Sequence, residues 1–228
     1  MTRPEAGTGV QRPAAVLFDM DGTLVDSEKI WDVTLDELAA RLGGELSGAT
    51  RRAMVGSNLA RSLEMLHTDL GIVAGDLAGD SRWLLERTKD YFALGLPWQP
   101  GARELLDAVH AAGIPTALVT STHRDLVDVA LRSIGAHYFD VAVCGDEVAR
   151  NKPHPEAYLR AAELLGVDAG ECVAIEDSPT GIAAAEAAGC AVLAVPSEVP
   201  VTPGPLRTVR ESLAGVDVAY LAGLLTAR

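Results

Sequence analysis

Apolar and polar positions alternate along this chain in blocks of two kinds. Five short apolar runs read as buried strands: Ala15 to Phe18, Thr116 to Thr120, Val141 to Cys144, Cys172 to Ile175 and Ala191 to Val195. Each of the last four follows a segment with helical spacing of its apolar residues, namely Ala102 to Ala112, Arg124 to Ile134, Pro155 to Leu165 and Pro179 to Ala188. Gly113, Gly135, Gly166 and Gly189 stand where helices commonly end. Strand and helix in alternation predict an α/β fold, with a Rossmann-like parallel sheet and helices on both faces. In such sheets a site lies beyond the carboxyl ends of the strands.

The interval from Leu24 to about Leu96 lacks strand signals and is far too long for a simple crossover. Its pattern predicts helices over Glu28 to Leu42, Thr50 to Val55, Leu59 to Leu70 and Gly79 to Leu94, an all-helical insertion. The expected organisation is therefore a tail over 1–13, an α/β core over 14–24 and 97–228, and a helical cap over 25–96. Pro97 and Pro100 suit a linker. Residues 200–228 carry mixed signals and are expected to form short helices on the sheet edge.

The chain has 228 residues, 48% of them hydrophobic and 22% charged, enough for a substantial packed core. The net charge of -13 argues against nucleic acid as a partner. It also means that an anionic substrate needs a local cation, for which a divalent metal is the obvious candidate. No apolar run reaches membrane-spanning length, and the start lacks the apolar stretch of a signal peptide. Cys144, Cys172 and Cys190 form no metal or redox pattern, which fits reduced thiols of a cytoplasmic protein. A monomer is expected.

Polar clusters stand at the predicted strand ends. Asp19-Met20-Asp21-Gly22-Thr23 follows the first strand. Two carboxylates one residue apart would point to the same side of an extended chain. Burying them together is costly unless a cation or a proton compensates. Asp and Gly are also ordinary turn residues, so the pair alone leaves a plain turn open. Val119-Thr120-Ser121 ends the second strand, where a hydroxyl and an amide can hold a phosphate oxygen or merely cap a helix. Asn151-Lys152-Pro153-His154-Pro155 contains one of only three lysines, placed to offset negative charge; the others are Lys29 and Lys89. His154 is read as structural. Ile175-Glu176-Asp177-Ser178-Pro179-Thr180-Gly181 puts two acids at a strand end, an oxygen donor set that suits magnesium.

In this order and spacing the four motifs resemble the haloacid dehalogenase superfamily, in its subgroup of helical-cap phosphatases and beta-phosphoglucomutase-like enzymes. The resemblance spans Ala14 to about Pro196. It implies that Asp19 attacks phosphorus and becomes an aspartyl phosphate. It implies that Asp21 protonates the leaving alcohol and then activates water, and that Thr120, Ser121 and Lys152 hold the phosphoryl group. It implies Mg2+ as cofactor, held by Asp19, by the backbone carbonyl of Asp21 and by Asp177, with Glu176 bound directly or through water.

The second acid, Asp21, argues against a dehalogenase and against a phosphonate hydrolase, for which Lys29 or Lys89 would have to form a Schiff base. The mutase alternative is weakened by Leu59, where that enzyme's cap arginine is expected after Gly56-Ser57-Asn58, and by Arg124, where it has an asparagine. A magnesium-dependent hydrolase of small phosphate monoesters is the reading drawn from these features, its partner a small phosphorylated metabolite. A noncatalytic binding module on the same fold is the alternative of another class. Asp26, Glu28, Trp31, Met54, Asn58 and Arg124 are candidate substrate contacts. Arg51, Arg52 and Arg61 lie nearby, on what reads as a solvated helix face.

Overall fold

A computed structural model of the chain describes residues 12–54, 57–197 and 199–226. Val55, Gly56 and most of the expected tail lie outside the described residues. The central strand is β1 (Ala15–Phe18), and all four of its residues are fully buried. It pairs in parallel with β2 (Thr116–Val119) on one side and β4 (Cys172–Glu176) on the other. With β3 (Val141–Val143), β5 (Ala191–Ala194) and β6 (Arg207–Val209) the order is β3-β2-β1-β4-β5-β6, every pair parallel. Burial on both faces explains why β1, β2 and β5 read as unbroken apolar runs rather than alternations.

The pleat divides those runs between two cores. Val16, Phe18, Leu118, Val173 and Ile175 face one layer, with α5 (Ala102–Ala111), α6 (Arg124–Ile134) and α9 (Val218–Thr226). Ala15, Leu17, Ala117, Val119 and Ala174 face the other, with α7 (Glu156–Leu165) and α8 (Pro179–Ala188). In α6 the buried positions are Leu126, Val127, Ala130 and Ile134, the stripe that a helix lays on a sheet.

Between β1 and α5 the chain forms α1 (Glu28–Arg41), α2 (Gly48–Met54), α3 (Leu59–Asp69) and α4 (Leu77–Phe92). Leu35, Leu38, Ala39, Met54, Leu63, Leu66 and Leu84 give these helices a core of their own. The two crossings into this unit run side by side: Asp26 N–H donates to Pro97 O at 2.9 Å, and Gln99 N–H to Leu24 O at 2.8 Å. Lys89 of α4 also reaches Asp125 of α6 at 3.0 Å.

The C-terminal expectation needs correction. Residues 207–209 add a parallel edge strand, and a single helix, α9, follows. The segment Arg-Thr-Val is paired on one side only and half-buried, so it carries no apolar run to announce it.

Candidate active site

The carboxyl ends of β1, β2 and β4 meet at the switch in strand order, where helices leave the sheet toward both faces. Asp19 leaves β1 there, its N–H bound to Ile175 O at 3.0 Å. Gly22 then turns the chain back with a φ of 78°, in the left-handed region that favours glycine. A Cβ on Gly22 would stand 2.2 Å from Asp177 Oδ2, so only glycine permits this approach of the first loop to the acidic pair. At Gly181, in the first turn of α8, a Cβ would meet the Glu176 carboxylate at about the same distance, 2.0 Å.

Lys152 is the hub of the site. Its Nζ donates to Asp19 Oδ1 at 2.6 Å, to Glu176 Oε1 at 2.6 Å and to Val119 O at 2.9 Å. An ammonium has three donors, so all are used and the group is fixed in orientation. The Tyr158 ring lies beside it, 5.2 Å from Nζ to the centroid, and the Tyr158 hydroxyl donates to the same Glu176 oxygen at 2.5 Å. Burial opposes the charge on Lys152, yet Asp19 and Glu176 outweigh it and hold its pKa above the ordinary lysine value.

Asp19, Glu176 and Asp177 each offer a carboxylate oxygen within 4.8 Å of the others, and all three are buried. Burial pushes Asp19 well above the usual carboxylate range, against the pull of Lys152, and the neighbouring acids add to the rise. Asp177 is pushed up to about 8, first by burial and then by Glu176; the Ser197 hydroxyl, 2.6 Å from Oδ2, pulls the other way. Thr23 donates to Asp177 Oδ1 at 3.3 Å. Three buried carboxylates share one lysine, so ionising all three needs a further cation or retained protons, and hard oxygen donors so arranged fit a divalent cation such as magnesium.

The Asp21 carboxylate lies outside that trio and faces the helical unit. It accepts from Ser27 Oγ at 2.5 Å, Trp31 Nε1 at 3.3 Å, Thr122 Oγ1 at 2.8 Å and Thr120 Oγ1 at 3.3 Å. Ser27 and Trp31 come from the start of α1, and the two threonines follow β2. Thr120 also accepts from the N–H of Thr122 at 3.0 Å.

A cavity of about 150 Å³ opens over these groups. Asp19, Asp21, Thr120, Ser121, Lys152 and Asp177 form its floor, and Glu28, Trp31 and Met54 face it from the helical unit. Three candidate contacts do not line it. Asp26 pairs with Lys29, Asn58 caps α3 by accepting from Arg61 N–H, and Arg124 is held by Glu147 and Ala142 O. Arg51, read from sequence as solvated, lines the cavity instead. Thr122, Tyr158 and Ser197 were not anticipated. A search of every polar residue just past a strand end would have found Thr122 and Ser197; Tyr158, mid-helix, gave no signal.

Cys144, Cys172 and Cys190 are all buried. Burial pushes the Cys144 thiol up to about 12, which favours the thiol over the thiolate.

The model of the haloacid dehalogenase-like hydrolases matches residues 13–189. The chain belongs to this family. Among curated relatives of this haloacid dehalogenase-like hydrolase, Hexitol phosphatase A of Escherichia coli K12 is 36% identical over 190 residues, covering 81% of this chain and 84% of the relative. The Phosphorylated carbohydrates phosphatase of Thermotoga maritima is 36% identical over 176 residues, covering 77% and 81%. CbbY of Rhodobacter sphaeroides, solved in complex with phosphate, superposes with a TM-score of 0.81 at 30% identity, over 92% of this chain and 99% of that one. A mutant of the same CbbY was solved with xylulose-(1,5)bisphosphate. No helix among the described residues is long and apolar enough to cross a membrane.

Proposed function

We propose that this protein is a magnesium-dependent phosphatase of small phosphorylated metabolites, sugar or polyol phosphates among them. One observation carries the reading: Asp19 and Lys152 stand 2.6 Å apart on the floor of a cavity, with Asp177 and Glu176 beside them. The names of the curated relatives support the same reaction class.

In this reading an oxygen of Asp19 forms a bond to phosphorus as the bond to the alcohol oxygen breaks. Asp21 gives its proton to that oxygen. It then takes a proton from the water that attacks the aspartyl phosphate, which returns Asp19 and releases inorganic phosphate. Thr120, Ser121 and Lys152 orient the phosphoryl oxygens. Asp19, Asp177 and the backbone carbonyl of Asp21 would hold Mg2+, with Glu176 bound directly or through water. When bound, the ion supplies positive charge against that of the phosphoryl group. Residues 25–96 act as a cap whose closure excludes water, and Trp31 and Ser27 couple that cap to Asp21. The buried cysteines fit a cytoplasmic enzyme.

A mutase is not favoured, because Leu59 lines the cavity where a second phosphate would need a cation. The test is release of inorganic phosphate from p-nitrophenyl phosphate and a panel of sugar and polyol phosphates with Mg2+, beside Asp19→Asn. Activity absent from the wild type, or equal in the variant, contradicts the proposal and supports a binding module.

A further inference from the structure

The cap side of the cavity has its own chemistry. Trp31, Leu35, Met54, Leu59, Leu84 and Leu85 give it an apolar wall. The charged groups among the lining residues on this side are Glu28, Asp32 and Arg51. Arg51 is the sole cation among the described residues that line this side, and it is already engaged. Its Nη1 donates to Asp32 Oδ1 at 2.6 Å and reaches Asp32 O at 3.4 Å, and its Nη2 donates to Asp36. Asp32 and Asp36 are four residues apart on α1, so they flank the guanidinium from one helix face.

Asp32 and Glu28 against one guanidinium leave this wall net negative, and Asp36, outside the lining, draws on the same guanidinium. A phosphate entering here would compete with Asp32 and Asp36 for Arg51 and lie against their charges, and like charges brought together at a desolvated surface are costly. A hydroxyl group meets no such penalty. It can donate to Asp32 or Glu28 and accept from Ser57 or Ser62, whose hydroxyls face each other at 2.5 Å on the same wall. The C–H faces of a polyol or sugar would lie on Trp31 and the leucines.

We propose that this cap wall selects phosphate monoesters whose alcohol is uncharged and rich in hydroxyls and rejects a second phosphate, and that Asp32 sets this choice by holding Arg51 out of service. The inference rests on the phosphatase reading of the same site and adds to it a specificity-determining residue.

A matched pair tests it: glucitol 6-phosphate and glucitol 1,6-bisphosphate, with Mg2+, on the wild type, Asp32→Asn and Asp36→Asn. The quantity read is the ratio of kcat/KM for the two compounds on one sample, which cancels any difference in the folded fraction. The wild type should favour the monophosphate by about tenfold or more, and Asp32→Asn should shrink that preference by about tenfold by freeing Arg51. A wild type that accepts both equally overturns the proposal, as does a ratio unchanged in both variants. Binding of the same pair to Asp19→Asn, measured by calorimetry, separates the two claims. If no ester is hydrolysed by the wild type, the phosphatase reading fails, while tighter binding of the monophosphate still supports the selectivity and equal binding overturns it.

Discussion

The hydroxyl of Ser197 stands 2.6 Å from Oδ2 of Asp177, and so joins the end of β5 to the acidic trio at the end of β4. Groups that orient a metal ligand typically matter about tenfold or more to metal affinity. Ser197→Ala should therefore weaken Mg2+ by about tenfold while changing kcat at saturating Mg2+ by less than about threefold. Activity titrated against Mg2+ checks this.

The raised pKa of Asp177, about 8, predicts a pH dependence of metal binding. Mg2+ needs the carboxylate, so its uptake expels a proton below that value. The Asp177 contribution to apparent affinity should rise with pH, by up to about tenfold per unit, and level off above about 8. Calorimetry in buffers of different ionisation enthalpy counts the proton released.

The same shift bears on stability. Asp177 and Asp19 both titrate higher in the folded than in the unfolded chain. Folding thus retains their protons at acidic pH, and this contribution is lost as pH rises through the folded-state values. Under chelation the melting temperature should fall as pH rises from about 4 to about 8, a fall that saturating Mg2+ reduces. Thermal denaturation across that range decides the sign.

Lys152 pairs with two buried carboxylates. Lys152→Met should cost about 3–5 kcal/mol of stability, because it leaves Asp19 and Glu176 without a counter-charge. Urea titration measures the loss in the metal-free protein, and phosphate release should fall by at least about a thousandfold.

Tyr158→Phe removes one donor from Glu176 while Lys152 remains. A hydrogen bond to a charged group is worth about 1.5–3 kcal/mol, so the variant should lose that much stability. A Lys152 less firmly aimed should lower kcat more than it raises KM, which steady-state kinetics resolves.

The strands and the polar clusters beyond them were legible because parallel strands buried on both faces leave apolar runs, because Asp19, Glu176 and Asp177 end such runs or follow them directly, and because Lys152 stands in the loop after β3 as one of only three lysines. What sequence did not disclose depends on tertiary approach. Ser197 and Tyr158 reach the site only through the packing of β5 and α7. Arg51 turns toward the cavity because Asp32 and Asp36 on a different helix draw it there. Asp26, Asn58 and Arg124 face away from it because each finds a partner elsewhere: Lys29, the N-terminus of α3, and Glu147. The edge strand β6 is short, polar and half-buried, and gives no pattern to read.

The central claim is that Asp19 carries the phosphoryl group during turnover. Acid quench of the enzyme mixed with excess phosphate ester and Mg2+, followed by peptide mapping by mass spectrometry, tests it most directly. The account predicts a phosphoryl group on the peptide holding Asp19, absent from Asp19→Asn. Phosphate release at the wild-type rate from Asp19→Asn, or a phosphoryl group found only on another residue, would contradict it.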